Sequence, residues 1–204
     1  MTKLSAFPST AELRELKRLE ILRCAARRFS ERGYEGTSLD QIAKELGVTK
    51  TALYHYVPNK KQLLFDCYRQ FMELIIGKLD EADAMDASPL DRLRFVLREY
   101  GLHAIAGDYQ FLWRDARIVL EGDETQFLQT QRDEVDSRIR QFIVDCVEAG
   151  QMYGIEDLPI AYFHIMGALN WMAVWYRQGG DLKPEELSER MVAESLKAYV
   201  RTQE

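Results

Sequence analysis

Between Thr37 and Lys61 the chain runs TSLDQIAKELGVTKTALYHYVPNKK, and its side chains suit one kind of chemistry. A lysine such as Lys50 can donate to the acceptor edge of guanine, and the methyl of a threonine such as Thr51 can meet a thymine methyl. The phenols of Tyr54 and Tyr56 can donate to phosphate oxygens, as can a hydroxyl from Thr37 or Ser38. No catalytic arrangement competes. His55, His103 and His164 lie far apart, no HExxH or GxSxG occurs, and no glycine-rich loop follows a strand. Cys24, Cys67 and Cys146 stand alone, without the CxxC or Cys/His spacing of a zinc site, and are expected to be buried, reduced and structural. We therefore expect no enzyme, no catalytic residue, no metal and no cofactor. An enzyme assembled from scattered residues and a helical adaptor stand as distant alternatives.

Such side chains need rigid elements to aim them. Leu39, Ile42, Ala43 and Leu46 recur at helical spacing, Gly47 can take the left-handed conformation that ends a helix, and Thr49 can cap the next. The pattern predicts a helix-turn-helix with its polar face outward and Leu39, Ile42, Leu46, Val48 and Leu53 in a small core. Upstream, Ser9 and Glu12 form a capping-box pattern that opens a helix through Leu16, Leu19, Leu22, Ala26 and Phe29, closing near Gly33. Downstream, a long helix is expected from Lys60 to about Asp83, and Ser88-Pro89 supplies the N-cap and first-turn proline of another. Breaks follow around Gly107, Gly122, residues 150–159 and Gly179-Gly180. With strand signals almost absent, the chain reads as all-α with about nine helices: a helix-turn-helix domain over residues 1–60, and a larger helical body over 61–204.

The formal charge of −6 would argue against a nucleic-acid partner if it were uniform. It is not: residues 1–60 carry 11 Lys+Arg against 7 Asp+Glu, and residues 61–204 carry 16 against 26. Phosphate attraction is screened beyond about 10 Å in ordinary salt, so a basic head on an acidic body is compatible with DNA. No basic-then-apolar leader opens the chain and no apolar run approaches the roughly 18 residues needed to span a bilayer, so no membrane association and a cytoplasmic location are expected.

Leu46-Gly47-Val48, Leu53-Tyr54-x-Tyr56-Val57 and Asn59-Lys60-x-x-Leu63-Leu64 closely resemble, in order and spacing, the DNA-binding domain of TetR-family transcriptional regulators. The resemblance implies a homodimer reading a palindromic double-stranded DNA operator. It puts Lys50 and Thr51 at the floor of the major groove with Tyr54 beside them, and His55, Tyr56 and Lys60 on phosphates. Thr37, Ser38 and Thr49 complete the expected DNA-facing set. Arg14, Lys17 and Arg18 have two readings of equal weight, an N-terminal arm on DNA or a solvated helix face. The last two helices, Pro159 to Gln178 and Pro184 to Val200, are expected to pair with those of a second copy.

For the body, residues 61–204, the resemblance implies a ligand-binding and dimerisation domain whose small-molecule effector shifts the spacing of the heads. Candidate pocket residues are Phe95, Arg98, Tyr109, Trp113, Arg114, Arg117, Phe142, Asn170, Trp171 and Trp175. The stretch from Gly167 to Tyr176 also resembles members that control fatty-acid, aromatic-acid or steroid breakdown, several responsive to acyl-CoA thioesters. On that resemblance Trp171 and Trp175, four apart on one helix face, wall an apolar pocket. The competing reading is that they pack the dimer. An efflux or detoxification regulator responding to drugs or flavonoids is the alternative within the family.

Overall fold

A computed structural model describes residues 9–106, 119–177 and 180–200. Among these residues there are eight α-helices and no strand: α1 (Thr10–Arg32), α2 (Leu39–Glu45), α3 (Lys50–Tyr54), α4 (Lys60–Asp83), α5 (Pro89–Ala106), α6 (Asp123–Glu148), α7 (Leu158–Trp175) and α8 (Pro184–Leu196). The all-α architecture is the expected one. The count differs by one from that anticipated, and residues 107–118 lie outside the described residues.

The helix starts follow from local chemistry. Ser9 Oγ accepts from the Glu12 amide while the Glu12 carboxylate accepts from the Ser9 amide, and Ser38 and Gln41 do the same for α2. Thr49, Asn59 and Ser88 accept the amides of Ala52, Gln62 and Asp91. Each such cap contributes roughly 0.5–2 kcal/mol, enough to fix where a helix begins. Between α2 and α3 the chain turns through Gly47 at φ 67°, a conformation that a side chain would strain.

Helix α1 packs against α2 and α4, and α5 is the central helix of the body, touching α4, α6, α7 and α8. Phe29, Leu22, Ile42 and Leu53 fill the head, and Leu63 and Leu64 on α4 continue that core into the body, where Ile75, Leu97, Ile139, Ile165 and Leu169 are buried. A Cβ on Gly101 would sit 2.6 Å from Ser188 Oγ and 2.8 Å from Met172 Cε, so glycine there lets α5 press against α7 and α8. Ser188 Oγ then donates to the Arg98 carbonyl at 2.7 Å.

The three cysteines are buried and free. Burial raises the Cys24 thiol to about 11 and the Cys146 thiol to about 12, and pushes Cys67 well above its ordinary value. Thiols so protonated are poor nucleophiles.

Candidate nucleic-acid interface and ligand cavity

Helix α3 is only five residues long, and its orientation is set by one anchor. Leu53 is fully buried and Val57 follows it into the core, which leaves Thr49, Lys50, Thr51, Tyr54 and His55 exposed. Lys50 Nζ lies 2.7 Å from Asp40 Oδ1, donates to Oδ2 at 3.0 Å, and stands 5.9 Å from the centre of the Tyr54 ring. The hydrogen bond that Lys50 donates to Asp40 raises the pKa of Lys50, so the ammonium stays charged. This face offers a cation, hydroxyls and a phenol on a short rigid helix. Those groups can meet base edges and phosphates together.

Two residues of the expected DNA-facing set, Thr37 and Lys60, already have partners within the head. Thr37 is turned inward rather than toward solvent: it is buried, and its hydroxyl donates to the carbonyls of Gly33 at 2.9 Å and Arg28 at 3.2 Å. It ties the end of α1 to the start of α2, and its hydroxyl is not available to a phosphate. The exposed residue at this helix start is Ser38, whose oxygen caps α2. Lys60 is also held internally, donating to the Tyr34 carbonyl at 2.9 Å with its ammonium 4.1 Å from the Tyr34 ring centre. Tyr56 is half-buried and lines a shallow groove with Lys17 and Ile21 of α1. Arg14 and Lys17 are exposed, and Arg18 is paired with Glu15 at 3.0 Å. One clamp was invisible in the sequence: Arg27 and Arg28 of α1 both hold Glu45 at the end of α2.

In the body, a cavity of about 180 Å³ lies between α4, α5, α6 and α7. Phe71, Met72, Val135 and Met166 form its apolar wall. Its polar lining is specific: Tyr100 Oη donates to Asn170 Oδ1 at 2.7 Å, Tyr162 Oη donates to Asp136, and Arg132 lies beside them. Burial raises the pKa of both phenols, keeping them as donors.

The residues anticipated for the effector pocket scatter. Asn170 lines the cavity, whereas Phe142 is core. Phe95 and Arg98 lie on the far side of α5, where with Arg94 and Lys197 they line an outer groove of about 570 Å³ between α5 and α8. Trp171 and Trp175 do not line the cavity. They are 62% and 44% exposed and share an outward apolar stripe of α7 with Ile160, Phe163 and Val174. Tyr109, Trp113, Arg114 and Arg117 lie outside the described residues. Tyr100, Asp136 and Tyr162 carried no separating signal, since a polar residue on a helical face reads the same whether it meets a cavity or water.

A three-helix head with a polar third helix, set on a helical body with an internal cavity, is the architecture of a helix-turn-helix transcriptional regulator. Residues 21–67 match the family model described as "Bacterial regulatory proteins, tetR family", and residues 86–198, more than half of the chain, match "Tetracyclin repressor-like, C-terminal domain". The chain belongs to the TetR family of transcriptional regulators. It is 28% identical to the HTH-type transcriptional repressor KstR2 of Mycolicibacterium smegmatis, across 96% of this chain and 97% of the relative. The structure of the ketosteroid transcriptional regulator KstR2 of Mycobacterium tuberculosis superposes with a TM-score of 0.80 at 21% identity, covering 91% of this chain and 96% of the other. That of AibR in complex with isovaleryl coenzyme A and operator DNA superposes with a TM-score of 0.73 at 27% identity, covering 87% and 97%. These relatives are regulators, not enzymes. Among the described residues no helix is long and apolar enough to cross a membrane.

Proposed function

We propose that this regulator is a cytoplasmic repressor that binds a palindromic operator as a homodimer and leaves it when an acyl-CoA thioester fills the body. The exposed polar face of α3 carries this reading. Lys50 and Thr51 meet base edges with Tyr54 beside them, while Ser38, Thr49, His55 and Tyr56 take phosphates. Thr37 and Lys60 position the head from inside. The functional division falls at residue 60, with residues 61–204 binding effector and partner.

One five-residue helix makes few base contacts, so two heads are needed, about one DNA turn apart. The outward stripe of α7 supports a mate: Ile160, Phe163, Trp171, Val174 and Trp175 are large apolar groups on one helix face. In α8 the exposed positions are charged, among them Glu185, Glu186, Glu189 and Arg190, so α8 supplies the polar flank of the interface. The tryptophans belong to this dimer face.

The effector class rests on the likeness to a regulator solved with isovaleryl coenzyme A and on the cavity itself. At about 180 Å³ the cavity is smaller than the roughly 300 Å³ typical of pockets for drug-sized ligands, and suits a short acyl group. The nucleotide portion then lies outside it. Such a ligand releases DNA only by binding one spacing of the heads better than the other.

Selection of duplexes from a random pool, followed by binding at several salt concentrations, tests the DNA reading. A palindrome should emerge, with affinity falling linearly on a log–log salt plot. Thermal stabilisation by isovaleryl-CoA, longer thioesters, the free acids, cationic drugs and flavonoids tests the effector. Stabilisation by drugs or flavonoids alone would make this an efflux regulator.

A further inference from the structure

We propose that Asp40 sets how well the regulator distinguishes its operator from other DNA. Its carboxylate stands in for a phosphate on the DNA-free recognition face and gives up Lys50 only to a base that offers matching acceptors. The inference rests on the reading of α3 as the DNA-facing helix.

Lys50 is within 3.0 Å of both Asp40 oxygens, the contact a lysine makes with a phosphate, and it is steadied over the Tyr54 ring. Both partners are more than half exposed, so solvent competes with the pair and it contributes little to the stability of the head. An exposed carboxylate among groups that meet a polyanion is costly for DNA affinity, and its value lies elsewhere. On random sequence Lys50 stays with Asp40, so it neutralises no phosphate and releases no counterion. On the operator, guanine N7 and O6 present two acceptors to the ammonium and replace the carboxylate. Asp40 thus weakens non-specific binding more than specific binding, and the ratio of the two governs occupancy in a genome. Asp40 is a positioning residue acting through Lys50.

The test uses the full-length chain, the duplex selected by the unaltered protein and a mixed-sequence duplex of equal length. Asp40→Asn should tighten mixed-sequence binding by about three- to tenfold and the selected duplex by less than about twofold. Its salt slope on mixed sequence should steepen by about 1 per head, because Lys50 then takes a phosphate. Asp40→Glu should restore the original ratio, and an unchanged melting temperature would show that the fold is intact. Glu31→Gln makes the same charge change at another exposed position of the head and should leave the ratio alone. Equal tightening on both duplexes, no tightening on either, or the same effect from Glu31→Gln would overturn the proposal. If the unaltered protein enriches no sequence, the DNA reading itself falls and this inference falls with it, an outcome distinct from a selective protein indifferent to Asp40.

Discussion

Helices α3 and α7 each leave a face uncovered in the single chain, and the two faces differ in what water does to them. On α3 the exposed side is Lys50, Thr51 and Tyr54; on α7 it is Ile160, Phe163, Trp171, Val174 and Trp175. A polar face is satisfied by solvent and ions until a polyanion displaces them, so its engagement is reversible and salt-dependent. An apolar face gains about 25 cal/mol for each Å² withdrawn from water, so it favours a lasting partner. Under the proposed function, the contrast separates a surface that lets go from one that stays closed.

The hardest test of that contrast is to charge the apolar face. Phe163→Glu combined with Trp171→Glu should raise the dimer dissociation constant at least about 1,000-fold, taking roughly 2 kcal/mol per buried aromatic, and sedimentation would show monomers at micromolar concentration. Dimers that survive would move the interface away from α7. Next comes the polar face: Tyr54→Ala should weaken binding to the selected operator by about 10- to 100-fold while sedimentation still shows dimers. A monomeric Tyr54→Ala would mean that the two faces are not independent.

Two smaller effects lie beneath the faces. Tyr100→Phe removes the donor to Asn170 in the cavity and should cost about 1 kcal/mol, a fall of roughly 2–4 °C in melting temperature, with a larger loss of effector stabilisation. Glu45→Gln should cost less than about 1 kcal/mol, since the clamp with Arg27 and Arg28 is partly exposed. The hydrogen bond from Arg27, opposed by burial and joined by Arg28, holds the Glu45 pKa below its ordinary 4.5. Its contribution is therefore present at neutral pH and disappears as pH falls through the depressed value, where Glu45 becomes protonated. Denaturation curves of the two proteins should converge in acid.

The head was more legible than the body because its chemistry is local. Ser9 with Glu12, Thr49 with Ala52 and Asn59 with Gln62 are cap contacts three residues apart, and they mark helix starts in the sequence as they do in the fold. Where a side chain depends on distant chain, the pattern misleads. Lys60 donates to the carbonyl of Tyr34, and Thr37 to carbonyls at the end of α1, contacts within the head that no local spacing announces. The cavity draws its walls from four helices, and helical periodicity says that Phe95, Phe142 and Asn170 each belong to a face without saying what that face meets. For Trp171 and Trp175 the sequence held two readings, and their outward orientation favours the dimer face.

The burial of Cys24, Cys67 and Cys146 makes the molecule convenient to instrument. With all three native thiols out of reach, a single cysteine introduced on an exposed surface of the head would be the site a fluorophore or spin label finds. A symmetric dimer then carries a matched pair of reporters, and the distance between them is a ruler for the separation of the two recognition helices. Read with and without operator or thioester, that ruler would show directly how far the heads travel.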